Sequence, residues 1–224
     1  VIVTTMAYNG ADWVVSLQTP RPGCDALKLN KALYGLKQAG RLWWMELGSK
    51  LKSLGFSKLH SDWGLYMRNE KSGRPFMILL VYVDDFVIAA KRSGDIADFL
   101  AEVQGHWKLS DMGEINTILG MKVVRDRATR RIFLHQPAYV DKIVKQFPTS
   151  PNPRYQSSTP LAAGYADIPD GDLIEATQYQ GLVGCLQWLA TCTRPDISYT
   201  ASFLARYLTK PTEHLFQLAL RTVS

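Results

Sequence analysis

Two apolar runs with a pair of acids between them constrain this chain most. Phe76-Met77-Ile78-Leu79-Leu80-Val81 precedes Tyr82-Val83-Asp84-Asp85, and Phe86-Val87-Ile88-Ala89-Ala90 follows. Short runs rich in branched and aliphatic residues predict two buried strands. Their separation predicts an antiparallel hairpin with the acids at its tip, where Asp tolerates turn geometry. Two carboxylates beside a core are costly unless they have a partner. They serve either as a pair of divalent-metal ligands or as turn residues that cap their own backbone. The residues of the hairpin alone leave both readings open.

The rest of the composition narrows the class. A chain of 224 residues, 46% hydrophobic and 11% aromatic, has the material for a real core and is not a disordered segment. No apolar run approaches a membrane span, and Val1-Ile2-Val3-Thr4 lacks the charged start of a secretion signal. The start without Met and the helical pattern running to Ser224 predict a fragment of a longer protein. Cys24, Cys185 and Cys192 are too scattered for a disulfide framework or a zinc site, and Cys185 and Cys192 are expected to pack in a core. Net charge is +6 but uneven. Residues 25–58 and 122–147 each carry seven Lys or Arg against two acids, while residues 160–196 carry five acids against one Arg. Two basic blocks around an acidic hairpin fit a polyanion held beside a metal site, and equally two solvated surfaces.

Along the chain, a helix is expected from about Ala39 to Leu54, with Leu47, Leu51 and Leu54 on its apolar face and Gly55 closing it. Ser93 is the expected N-cap of a helix carrying Ile96, Phe99, Leu100, Val103 and Trp107. Strands are expected over 115–125 and 131–134, then a helix opened by Pro137. Residues 148–160 hold four Pro and three Ser, which marks a linker. Beyond it, Gln178 to Thr193 predicts one helix, and Pro195 and Pro211 start two more. Five of the six tryptophans, Trp43, Trp44, Trp63, Trp107 and Trp188, are expected to be mostly core and receive no site role.

The order of four motifs resembles the copia-type retrotransposon reverse transcriptases. These are Lys28-Leu29-Asn30-Lys31 through Tyr34-Gly35-Leu36-Lys37-Gln38-Ala39, then Tyr82-Val83-Asp84-Asp85. Asp111-Met112-Gly113-Glu114 with Ile118-Leu119-Gly120 comes third, and Thr193-Arg194-Pro195-Asp196-Ile197 last. Each is weak alone; the four in this order cover nearly the whole chain.

The resemblance implies an α+β fold: a reverse-transcriptase-like palm, an antiparallel sheet backed by helices, followed by a thumb and a mainly helical C-terminal subdomain. It implies residues 1–127 as partial fingers and palm, 128–160 as a thumb-like basic segment and linker, and 161–224 as a connection-like subdomain. It implies RNA-directed DNA synthesis with Mg2+ or Mn2+ held by the catalytic pair Asp84 and Asp85. Two-cation phosphoryl transfer needs hard oxygen ligands of this kind. Tyr34, Gly35, Lys37, Gln38, Arg41, Tyr82 and Val83 would meet nucleotide and template. Leu119 and Gly120 would hold the primer end, and Arg125, Arg127, Arg130 and Arg131 would track the duplex backbone. The partners implied are an RNA template, a DNA primer or RNA–DNA hybrid and deoxynucleoside triphosphates, with no membrane. An RNase H domain would lie downstream in a polyprotein, in a cytoplasmic virus-like particle or the nucleus.

One segment departs from the family. Its third catalytic Asp stands before an Asn-Gly turn; here Ile2 or Val3 occupies that place, depending on whether Asn9-Gly10 or Ala7-Tyr8 anchors the comparison. Asp12 lies beyond the turn. Impaired catalysis is therefore expected, and the alternative function is a non-catalytic nucleic-acid-binding remnant of a decayed element.

Overall fold

The computed structural model describes residues 2–8, 35–70, 73–107, 109–148, 159–161, 165 and 171–223. The chain divides into two compact units, Val1–Ile115 and Asn116–Ser224. The expected linker lies mostly outside the described residues, as do Tyr34, Cys24 and Asp12.

In the first unit a six-stranded antiparallel sheet has the order β2-β3-β4-β5-β1-β6. Its strands are β1 (Ile2–Tyr8), β2 (Ser57–Lys58), β3 (Leu65–Arg68), β4 (Met77–Tyr82), β5 (Asp85–Ala90) and β6 (Leu109–Glu114). The expected hairpin is β4–β5, closed by the pair Tyr82↔Asp85. Alternation decides its inner face: Met77, Leu79 and Val81 of β4 are buried, as are Phe86, Ile88 and Ala90 of β5. They share one cluster with Leu47 and Leu51 of α1 (Ala39–Ser53) and Ile96, Phe99 and Val103 of α2 (Ser93–Gln104).

Both helices end where local chemistry dictates. After α1, Gly55 N–H donates to Lys52 O at 3.0 Å and Phe56 N–H to Leu51 O at 3.0 Å, which is the Schellman closure expected at Gly55. Ser93 is not the cap of α2. Arg92 holds that position, and the Asp95 carboxylate reaches back to accept from the Arg92 backbone at 3.3 Å and from its guanidinium at 2.8 Å. The Asp95 carboxylate thus supplies the back-reaching half of a capping box, while the guanidinium, which only donates, leaves the first helical N–H groups without the acceptor a serine hydroxyl would offer. A second Arg is fully enclosed: Arg68 lies over Phe56, 4.8 Å from the ring centre, and pairs with Glu102 at 3.4 Å. Burial lowers its pKa, and Glu102 opposes that shift.

Strand β6 begins at Leu109, earlier than the strand expected from 115. Its polar sequence carries no alternation to read; pairing with β1 makes it a strand.

The second unit opens with a three-stranded antiparallel sheet, β7 (Thr117–Ile118), β8 (Met121–Asp126) and β9 (Arg131–His135). Position 127/128, where a domain division was expected, falls in the turn of the β8–β9 hairpin. Then come α3 (Pro137–Gln146), α4 (Ala176–Cys192), a short 3-10 turn at Pro195–Ile197, α5 (Ser198–Ala205) and α6 (Glu213–Val223). Tyr179, Leu182, Val183 and Leu186 of α4 centre a core shared with Leu204 of α5, Leu215 of α6 and Ile143 of α3. Tyr179 Oη donates to Leu204 O at 2.8 Å, which satisfies the one polar atom it buries. Thr193 Oγ1 donates to Gln136 Oε1 at 2.8 Å, tying the end of α4 to the start of α3. Burial, and next the hydrogen bond with Cys185, push Tyr139 up to about 12.

Candidate active site

The two-residue turn between β4 and β5 consists of Val83 and Asp84. Val83 has φ 54°, a left-handed conformation that tight hairpin turns tolerate best with Gly or Asn and that a β-branched residue rarely adopts. Its carbonyl accepts a hydrogen bond from Trp43 Nε1 at 3.2 Å. Tyr82, Val83, Asp84 and Asp85 are all exposed, so the carboxylates stand at the rim of the sheet rather than within its core.

A cavity of about 140 Å3 lies beside Asp84, lined by Gly35, Leu36, Ala39, Gly40, Trp43 and Val83. It joins the entry to α1 with the hairpin tip, two segments about forty-five residues apart in sequence. Gly35 has φ 89°, and a Cβ added there would meet open space. Glycine is required for the backbone path rather than for room against protein atoms. Lys37, Gln38 and Arg41 are exposed on the same entry segment. The structure thus brings Gly35, Val83 and Asp84 to one cavity, while Lys37, Gln38, Arg41 and Tyr82 are not among its lining residues.

The primer-side candidates belong to the second unit. Leu119 (φ 49°) and Gly120 (φ 76°) form the two-residue turn between β7 and β8, and Ile118 pairs with Met121 across it. Arg125 lies on β8, Arg127 and Arg130 in the following turn and Arg131 at the start of β9. In that turn Asp126 Oδ1 accepts from Ala128 N at 2.9 Å and Oδ2 from Thr129 Oγ1 at 2.6 Å. Thr129 holds the Asp126 carboxyl below the usual range.

Two expectations about tryptophan are corrected. Trp63 is 73% exposed and Trp188 40% exposed, so neither is core. Trp63 lies on the hairpin leading to β3, where Lys58 Nζ sits 4.6 Å from its ring and 4.2 Å from that of Trp44. Trp43 is half-buried against the core and also lines the cavity, a site residue that sequence reasoning passed over. The only sequence signal was its place on the helix just after the Tyr34–Ala39 motif.

The strand register bears directly on the metal chemistry. In β1, Ile2 pairs with Ala90 and Val3 with Ala89, whereas Ala7 pairs with Asp85. Positions 2 and 3 are therefore five and four residues along β5 from Asp85, roughly 13–17 Å at strand spacing. The position across from the acid pair is 7. Asp111 of β6 pairs with Met6, and Met6 with Phe86, so Asp111 stands two strand spacings from β5, roughly 10 Å away. Among the described residues no three His, Cys, Asp or Glu side chains gather as a metal-holding group. Two adjacent carboxylates suit one hard cation, which commonly takes one or two carboxylates plus phosphate oxygens.

The family described as reverse transcriptase (RNA-dependent DNA polymerase) matches residues 21–163. The Pol polyprotein of transposon TNT 1-94 from Nicotiana tabacum is 35% identical over 192 residues, covering 82% of this chain and 14% of that protein. The Pol polyprotein of transposon RE1 from Arabidopsis thaliana is 34% identical over 199 residues, covering 87% of this chain and 13% of its own length. A putative transposon Ty5-1 protein from Saccharomyces cerevisiae is 31% identical, with 82% of this chain and 59% of that protein covered. No solved structure matches the chain. The chain belongs to the copia-type reverse transcriptase family of retrotransposon Pol polyproteins, and it spans about one seventh of the plant polyproteins it matches. No described helix is long and apolar enough to cross a membrane.

Proposed function

We propose that this chain is the palm and thumb portion of an RNA-directed DNA polymerase. Asp84 and Asp85 are its cation ligands and the cavity beside Asp84 its nucleotide pocket. The observation that carries this reading is the meeting of Asp84, at the hairpin tip, with the Gly35–Gly40 segment around one cavity. A divalent cation, Mg2+ or Mn2+, held by Asp84 and Asp85 would offset the charge that develops during nucleotidyl transfer. Around it the chain supplies position. Tyr34, Gly35, Lys37, Gln38 and Arg41 meet nucleotide and template, Tyr82 and Val83 face the primer terminus, and Leu119 and Gly120 hold the primer end. Arg125, Arg127, Arg130 and Arg131 neutralise phosphates of an RNA–DNA hybrid, a role that needs charge rather than base contact. In this scheme residues 1–127 serve as fingers and palm, 128–160 as thumb and linker, and 161–224 as the connection toward an RNase H domain. Such a polyprotein acts in a cytoplasmic virus-like particle or the nucleus.

A second reading, a nucleic-acid-binding remnant without catalysis, is favoured by the strand register, which pairs Asp85 with position 7, an alanine. Primer extension on a homopolymer template with Mg2+ or Mn2+ separates the two. As an impaired polymerase the 224-residue chain should incorporate nucleotide at a very low rate that Asp84→Asn abolishes; a rate unaffected by Asp84→Asn would favour the remnant, and robust incorporation would overturn it. Ala7→Asp should strengthen Mn2+ binding at the hairpin by about tenfold or more, as a third hard ligand would. Ile2→Asp and Val3→Asp should leave it unchanged. Equal gains at positions 2 and 7 would defeat the register argument.

A further inference from the structure

Trp43 sits where two constraints meet. Its ring packs edge-on against Trp107, with centroids 6.0 Å apart, and Trp107 is buried against Phe86 at 6.4 Å. This seating fixes the indole at the edge of the core, with Nε1 donating to Val83 O at 3.2 Å. Val83 is β-branched, exposed and left-handed, so its backbone conformation persists only if something outside the residue holds it. The peptide that carries this carbonyl continues directly into Asp84, and Asp85 follows in the closing pair with Tyr82. Rotation of that one peptide would swing Asp84 and reshape the wall of the cavity, which Trp43, Val83 and Asp84 all line.

We propose that Trp43 is a positioning residue for the acid pair: its indole N–H pins the Val83–Asp84 peptide and holds the strained turn in one conformation. The value of this clasp to chemistry rests on reading Asp84 and Asp85 as cation ligands; the clasp itself is tested without that reading.

Amide exchange in the 224-residue protein is the direct measurement. In Trp43→Phe, which keeps a ring but removes the donor, exchange at Tyr82 and Asp85 should rise about tenfold, the scale of one hydrogen bond. Leu79 and Ile88, in the middle of the same strands, should be unchanged. An equal loss across Leu79, Ile88 and Phe99 would mean that Trp43 only fills space, and would overturn the proposal. Val83→Gly relieves the strained conformation, so adding Trp43→Phe to it should change the closing pair less than twofold. The same tenfold loss in both backgrounds would also overturn it. In the unmodified protein the Trp43 indole proton should exchange more slowly than that of exposed Trp63, and equal rates would show that the hydrogen bond is absent. In the metal arm, Mn2+ should broaden the Asp85 amide severalfold more in the unmodified protein than in Trp43→Phe. No broadening in the unmodified protein would refute the cation reading alone and leave the exchange results to judge the clasp.

Discussion

The β4–β5 and β8–β9 hairpins are built from similar numbers of residues and meet opposite fates. In the first, every second side chain is buried against α1 and α2, and two acids stand at the tip, Asp84 in the turn and Asp85 opening β5. In the second, Val123 is the one buried residue of β8, and all five residues of β9 are exposed, Ile132, Phe133 and Leu134 included. Its turn region carries four Arg and a single acid, Asp126. A hairpin fixed on a packed core can hold carboxylates in one geometry, as cation binding requires. An exposed hairpin can offer cations to a backbone that demands charge more than fixed geometry. The difference teaches that burial beneath a turn, more than the turn itself, separates a chemical site from a contact surface.

The largest expected effect tests that contrast on equal residues. Phe86→Ala removes a fully buried ring and should cost about 3–5 kcal/mol. Phe133→Ala, at an exposed place on β9, should stay within about 0.5 kcal/mol. Denaturant midpoints of the two variants check this directly. Comparable losses would show that β9 is covered and that the contrast between the hairpins is false.

What the sequence made legible follows the same division. The β4–β5 hairpin, α1 with its Gly55 closure and α4 near its expected limits were all readable because apolar periodicity records burial. Strand β6, Leu-Ser-Asp-Met-Gly-Glu, was not, since a strand made by pairing with β1 leaves no hydrophobic signature. The place of the acid pair at the hairpin tip was legible from the apolar runs on either side, but its role was not. The register of β1 was not, because motif alignment fixes order along the chain but not which residue faces which across a sheet. Motif order sets the family's acid position at Ile2 or Val3, whereas the register pairs Ala7 with Asp85. Trp43 escaped notice for a related reason: a half-buried indole on an apolar helix has the pattern of core, and only geometry reveals where its N–H goes.

A second, smaller effect examines the exposed hairpin as a contact surface. Replacing Arg125, Arg127, Arg130 and Arg131 together with Gln should weaken binding to an RNA–DNA hybrid without changing sequence preference. If each meets one phosphate of a duplex, the slope of log affinity against log salt should flatten by up to about 3–4. About a hundredfold of salt-dependent affinity between 50 and 200 mM would then be lost. Fluorescence anisotropy across that salt range is the measurement. An unchanged slope would mean that the β8–β9 arginines are only a solvated surface.

The smallest effect concerns how each hairpin is held at its ends. Asp95 braces the start of α2, directly after β5, and hydrogen bonds from Arg92 hold its carboxyl below the usual range, against a smaller opposing effect of burial. A carboxylate whose folded pKa is depressed stabilises the protein above its unfolded value of about 3.9, and that contribution fades as pH falls through the folded value. Asp95→Asn should therefore lower the urea midpoint at pH 7, and the gap to the unmodified protein should begin to narrow near pH 3.9 and close as pH falls through the lower folded value. Asp126 is likewise depressed, by Thr129, but its turn crowns the exposed hairpin. Asp126→Asn should leave the midpoint nearly unmoved at either pH, because opening that turn exposes little apolar surface. A gap for Asp95→Asn that stays constant from pH 7 to pH 2.5 would show that the side chain acts through packing alone. A pH-dependent gap for Asp126→Asn as large as that of Asp95→Asn would show that the two hairpins unfold as one unit.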